Sequence, residues 1–294
     1  MTGEPVPTWA RVIAVVVGVT TALFVVPTVV LGAVSLASSV GQIRHTTTID
    51  LGPVAPRLQV DVRFGSVTIA AARDGQIVVR ESRSAGAITR AAAAAALRRI
   101  AVDVSRQGDV VVVEQPGTPM SAPEVNSSST IAIEVPARTD VDVRNVGSLR
   151  IQGTDGTVHV HGSGSVELSD ATLRGSSAID APVGEVRMTD VTVAGSAVVT
   201  IGFGGVRFSG RLAPGGSALD IEDSAGDVSV ALPLLTDARA VITTDMGDFH
   251  PNGPWLFTPD SPTTPRQWTA DLVPNPTGTV TVRTRLGAVT FVSR

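Results

Sequence analysis

The chain has 294 residues, enough for one large or two modest domains, and its composition closes several chemical routes. With neither Cys nor Lys it has no disulfide, thiolate zinc site, cysteine nucleophile, Schiff-base amine or P-loop lysine. A net charge of −4 argues against a general nucleic-acid binder, and an aromatic content of 3% leaves the core to Val, Ile, Leu and Ala, which suits narrow layers of strands.

Residues 1–11 form a short polar tail, and residues 12–37 are almost wholly apolar. As a helix this second segment would run about 39 Å, long enough for a tilted bilayer crossing. Trp9 and Arg11 suit interface anchors. A cleaved signal peptide competes with this reading, since Ser35-Leu36-Ala37 is a passable cleavage site. Signal peptides, however, have apolar regions of only about 7–15 residues. The length favours a retained transmembrane helix. The expected protein is therefore single-pass in the cytoplasmic membrane, with the lipid bilayer as partner of residues 12–37 and the rest outside the cytoplasm. Charge does not orient it, because Arg11 on one side is matched by Arg44 on the other.

After a linker, 38–45, residues 46–145 read as strands with one helix. Residues 57–63 alternate Leu58, Val60 and Val62 with polar neighbours, the period of a half-buried strand. Asp74-Gly75 signals a hairpin. Residues 85–99 carry an Ala run of high helix propensity, with Ser84 as the expected N-cap and Arg98 and Arg99 at the negative end. Ile88, Ala92, Ala96 and Ile100 would share its covered face.

From 146 to 294 one short phrase returns. Gly184-Glu185-Val186-Arg187-Met188 is followed by Gly204-Gly205-Val206-Arg207-Phe208, Gly226-Asp227-Val228-Ser229-Val230 and Gly247-Asp248-Phe249-His250. The glycines lie 20, 22 and 21 residues apart. A fixed period of this size predicts a mainly β chain folded as a β-solenoid, a parallel β-helix-like stack of coils of about 20–22 residues. Val186/Met188, Val206/Phe208 and Val228/Val230 should point inward, and Glu185, Arg187, Arg207, Asp227, Ser229, Asp248 and His250 outward. Residues 251–265 interrupt the rhythm as a proline-rich loop. The phrase returns at Leu286-Gly287-Ala288-Val289, read as a closing coil.

Candidate chemistry is sparse. His159 and His161 share a strand face and could bind a metal, but no third ligand stands near them in the sequence, so they read as a surface pair. Asp220, Glu222, Asp223 and Asp227 could attract calcium, yet they lack the EF-hand spacing and the calcium-binding nonapeptide. Asp245 and Asp248 could be paired as glycosidase carboxylates, although acidic residues beside corners are also what turns prefer. No residue is assigned a catalytic, cofactor-binding or metal-binding role.

An apolar N-terminal segment followed by degenerate Gly-[Ser/Asp/Glu]-Val-x-Val strands resembles the bacterial β-strand-repeat family called "putative adhesins", a domain of unknown function. The resemblance covers about residues 46–294 and is clearest at 140–250 and 279–292. It implies a β-solenoid displayed outside the cytoplasmic membrane, and the function expected for the chain is a membrane-anchored, non-enzymatic envelope scaffold that meets a protein or polysaccharide, with no nucleic acid and no cofactor. The alternative is a carbohydrate-active β-helix enzyme acting on an envelope polysaccharide.

Overall fold

The computed structural model describes residues 42–53, 57–87, 89–116, 125–145, 147–162, 164–260 and 264–294. The apolar segment 12–37 lies outside the described residues. Among the described residues no helix is long and apolar enough to cross a membrane. The described residues therefore do not support the expected single-pass protein of the cytoplasmic membrane, and the expected transmembrane helix itself falls outside them.

Alternation of apolar and polar residues makes strands, and their register makes the core. The inward positions expected from the repeat phrase are inward: Val186, Met188, Val206, Phe208, Val228 and Val230 are each at most 1% exposed. Two lateral successions of parallel strands carry them. In the first, Arg57–Val62 lies between Val110–Glu114 and Asp140–Asn145, and the row continues through Val158–Gly162 and two passes of the long Thr172–Leu212 strand to Ala218–Ala225. In the second, Ser66–Ala71 pairs with Ser148–Gln152, followed by Val166–Ser169, two further passes of Thr172–Leu212, and Val228–Leu232.

The expected β-solenoid, with coils stacked in chain order, is corrected. Among the described residues the 21 strands belong to one sheet, which in the larger unit (His45–Arg83, Ile100–Thr118, Ser128–Arg294) curls into a nearly closed barrel shape around one apolar core. Strand order leaves chain order at both ends. Gly278–Leu286 inserts between Ala218–Ala225 and Ala238–Met246, and Val289–Ser293 between Val228–Leu232 and Phe249–Asn252. The segment read as a closing coil is therefore interior. Antiparallel strands complete the sheet, Asp103–Gln107 against Val110–Glu114 and Arg266–Asp271 against Ala238–Met246. The physical reason for the error is simple. An offset of about 20 residues records which residues sit side by side on neighbouring strands, and one curled sheet meets that condition as well as separate coils do.

The glycines of the phrase form a column that follows this spatial order. A Cβ on Gly204 would lie 1.5 Å from the carbonyl oxygen of Gly184, and one on Gly226 would lie 1.2 Å from that of Gly204. The next members are Gly287, 1.8 Å from Gly226, and then Gly247, 1.8 Å from Gly287. Gly204 also has a φ of +146°, but Gly226 has no positive φ, so close backbone approach is the shared requirement.

The aromatic residues gather where Phe249–Asn252 ends its row. Phe249 meets Phe257 at 4.8 Å and Trp268 at 5.1 Å, while Trp255 and Phe257 stand edge-on to the buried Phe291 at 5.3 and 5.4 Å. Residues 251–265 thus supply two rings, Trp255 and Phe257, that pack on Phe291 at the end of the core.

The smaller unit contains residues Ser84–Arg99. Its helix runs Arg90–Arg99, shorter than the expected 85–99. The N-cap is Thr89, whose Oγ1 accepts from Ala92 N at 3.2 Å; Ser84 instead belongs to the Gln76–Ala87 strand. The helix buries Ala93, Ala96 and Leu97; of the expected stripe, Ala96 and Ile100 are buried, Ala92 is half-buried and Ile88 lies outside the described residues.

Candidate interaction surface

The outward positions of the second succession form a row with one side chain per strand: Thr68, Arg150, Glu167, Arg187, Arg207, Ser229, Thr290 and His250. Adjacent strands lie about 4.8 Å apart, so ion pairs form between neighbours in the row. Arg150 Nη2 meets Glu167 Oε2 at 2.6 Å. Glu185 Oε1 receives both Arg187 at 3.0 Å and Arg207 at 2.8 Å. Glu185 and Arg187, both expected to point outward, pair with each other, and Arg207 joins them from the next pass. A groove of about 360 Å³ lies along Ser66, Thr68, Arg150, Glu167, Glu185 and Arg187. The pairs are exposed, so each adds only about 0–1 kcal/mol, and their effect is to hold guanidinium planes in place.

The first succession has a different outward face. His159 and His161 both point out, as expected of a strand pair two residues apart. His161 Nδ1 lies 2.8 Å from Asp180 Oδ2 on the neighbouring pass, and His159 sits in register with Asp142 and Ala178. A groove of about 510 Å³ lined by Asp142, Arg144, His159, His161 and Asp180 follows them.

The four acidic residues singled out at 220–227 do not converge. Asp220 and Glu222 face outward, with Arg283 Nη1 at 3.8 and 2.7 Å. Asp223 faces inward and is 3% exposed. Its Oδ1 accepts from Ala225 N at 3.0 Å, while its Oδ2 has no partner. Burial pushes the Asp223 carboxyl up to about 6, against the lowering effect of the Ala225 N–H and with Asp227 nearby as a like charge. Asp227 Oδ1 accepts from Ala288 N at 2.9 Å, a corner role. Asp237 does the same at another corner, accepting from Thr277 N at 2.9 Å and Thr277 Oγ1 at 2.6 Å. Those bonds hold its carboxyl below the ordinary range. Asp245 and Asp248 flank Gly247 as exposed residues.

One feature escaped the sequence reading. The residue just before four of the five phrase glycines is large, apolar and exposed, Val183 at 55%, Phe203 at 67%, Leu286 at 46% and Met246 at 68%, and before Gly226 stands the half-buried Ala225. Register joins them through Ala225, which pairs with Phe203 on one side and Leu286 on the other, and Leu286 pairs with Met246. A groove of about 620 Å³ runs beside Val183, Phe203, Glu185, Arg207 and Asp227. The signal was available, because Val, Phe, Ala, Met and Leu precede the five glycines 184, 204, 226, 247 and 287.

No family model matches the chain, and no curated protein matches it. Among solved structures, a "putative cell adhesion protein" from Clostridium sporogenes ATCC 15579 is 12% identical, with 86% of this chain and all of that one covered and a TM-score of 0.37. A "putative adhesin" from Bacteroides fragilis NCTC 9343 is also 12% identical, with 84% and 97% covered and a TM-score of 0.43. A "putative lipid binding protein" from Parabacteroides distasonis ATCC 8503 is 11% identical, with 85% and 96% covered and a TM-score of 0.36.

Proposed function

We propose that the chain is an adhesin-like interaction scaffold that binds a ligand without transforming it, and that the ligand is a protein or polysaccharide of the cell envelope. The observation that supports this reading is the outward row from Thr68 to His250. It sets eight side chains at a spacing of about 4.8 Å, a span of about 34 Å, on a sheet whose core is continuous beneath them. An extended chain lying across the strands meets one side chain per strand, and the paired guanidinium groups of Arg150, Arg187 and Arg207 are fixed donors for carboxylate or hydroxyl groups.

Two of the acidic residues weighed for chemistry have structural partners, Asp227 a corner N–H and Asp220 the Arg283 guanidinium. The test is binding of the full chain to separated protein and polysaccharide fractions of the envelope. Replacement of Arg150 and Arg207 together by Ala should weaken capture while leaving the melting temperature nearly unchanged. Capture indifferent to both arginines, or chemical turnover of the captured ligand, overturns the proposal.

A further inference from the structure

The row of Val183, Phe203, Ala225, Leu286 and Met246 crosses five adjacent passes of the sheet, about 19 Å from end to end. Four of its five members are large apolar residues between 46% and 68% exposed. Contiguous apolar rows of this kind mark association surfaces on folded domains. The charges beside the row are not evenly spread. At the Val183–Phe203 end, Arg187 and Arg207 share the single carboxylate of Glu185, leaving an excess of positive charge. From the middle to the Met246 end, Asp227 and Asp248 stand beside the row and form no ion pair among the described residues, while the other flank carries one acidic and one basic side chain, Asp245 and Arg285, on neighbouring strands.

We propose that this row is a self-association surface, and that its occupant is the same row of a second copy laid antiparallel across a two-fold axis. A row that is apolar throughout, basic at one end and acidic at the other is complementary to itself when reversed. The Arg187–Arg207 end of one copy then faces the Asp227–Asp248 end of the other, and the apolar side chains interdigitate between them. Parallel stacking would set like charges together. Ala225, the smallest and middle member, faces its own counterpart at the axis and leaves room for Phe203 and Leu286 to reach across.

The absence of cysteine makes the test clean. The full chain is held in a mild detergent, so that its apolar residues 12–37 are covered, and its mass is followed by sedimentation. Dimers are expected, weakening as salt rises. Ala225→Cys should join two copies through a short bis-maleimide, whereas Thr281→Cys, on another outward face, should not.

Phe203→Asp with Met246→Asp should weaken the dimer by more than about tenfold with the circular dichroism spectrum retained. Arg207→Glu and Asp248→Arg should each weaken it, and the two together should restore it. A monomer at concentrations on the order of 100 μM overturns the proposal, as does cross-linking by Thr281→Cys equal to that by Ala225→Cys. It is also overturned if Phe203→Asp abolishes binding to phosphatidylcholine vesicles and leaves the mass unchanged, because a lipid surface is then the occupant.

Discussion

Asp223 and Thr284 lie in register on neighbouring parallel strands, and both turn into the core with an oxygen that has no hydrogen-bond partner. Thr244, the register partner of Thr284 on the next strand, solves the same problem by donating to Gly247 O at 3.1 Å. The polar file therefore ends in a buried carboxyl whose charged form is disfavoured by burial.

That carboxyl makes the stability of the protein depend on pH in a particular direction. Its folded pKa, about 6, lies above its ordinary value of 3.8. The folded state therefore holds a proton that the unfolded state has released. Relative stability from this group is full below about pH 3.8 and is lost as pH rises through 6. The loss is about 2–3 kcal/mol. Asp223→Asn should match the parent near pH 3.5 and exceed it by roughly that amount at pH 7.5, measured by urea unfolding at a series of pH values. A difference that stays constant over the range would contradict the assignment.

The glycine column carries more stability than the charges outside it. A methyl group on Gly226 would lie 1.2 Å from Gly204 O, so the strands must part. Gly226→Ala should cost more than about 3 kcal/mol or abolish folding, whereas Arg187→Glu should stay within about 1 kcal/mol. Chemical denaturation of both variants gives the comparison, and equal midpoints would remove the close approach as the reason for the repeat.

Asp237 and Thr277 tie a corner across 40 residues of sequence. Two hydrogen bonds to the ionised form lower the Asp237 pKa, so its contribution is present at neutral pH and fades as pH falls through the depressed value. Thr277→Val should raise that pKa toward 3.8 by removing the Oγ1 donor, as read by carbon-13 NMR titration of the carboxyl.

The ring cluster at 249–291 closes one end of the core. Phe257→Ala removes contacts to both Phe249 and Phe291 and should cost about 2 kcal/mol. The emission of Trp255 and Trp268 should shift to the red as water reaches them. Unaltered emission would mean that Phe257 does not shield that end.

Much of this was legible along the chain. Alternation at Val186–Met188, Val206–Phe208 and Val228–Val230 sorted inside from outside, because successive Cβ atoms on a strand must point to opposite faces. The glycine interval announced which residues would be neighbours on adjacent strands. The helix shifted from Ser84 to Thr89 because a strand continues through Ala87, a competition between local propensities that tertiary pairing resolves.

What the tertiary structure alone decided is where each neighbour comes from. Periodicity is blind to insertion, so the placement of Gly287 between Gly226 and Gly247 could not be read from spacing. Nor could the turning of Asp223 into the core while Asp220 and Glu222 face outward beside Arg283, since all three belong to one acidic run in the sequence. The phrase determined a sheet of parallel strands in register about 20 residues apart. Only the register of the folded sheet, which sets Leu286 between Ala225 and Met246, put the apolar residues before these glycines into one row.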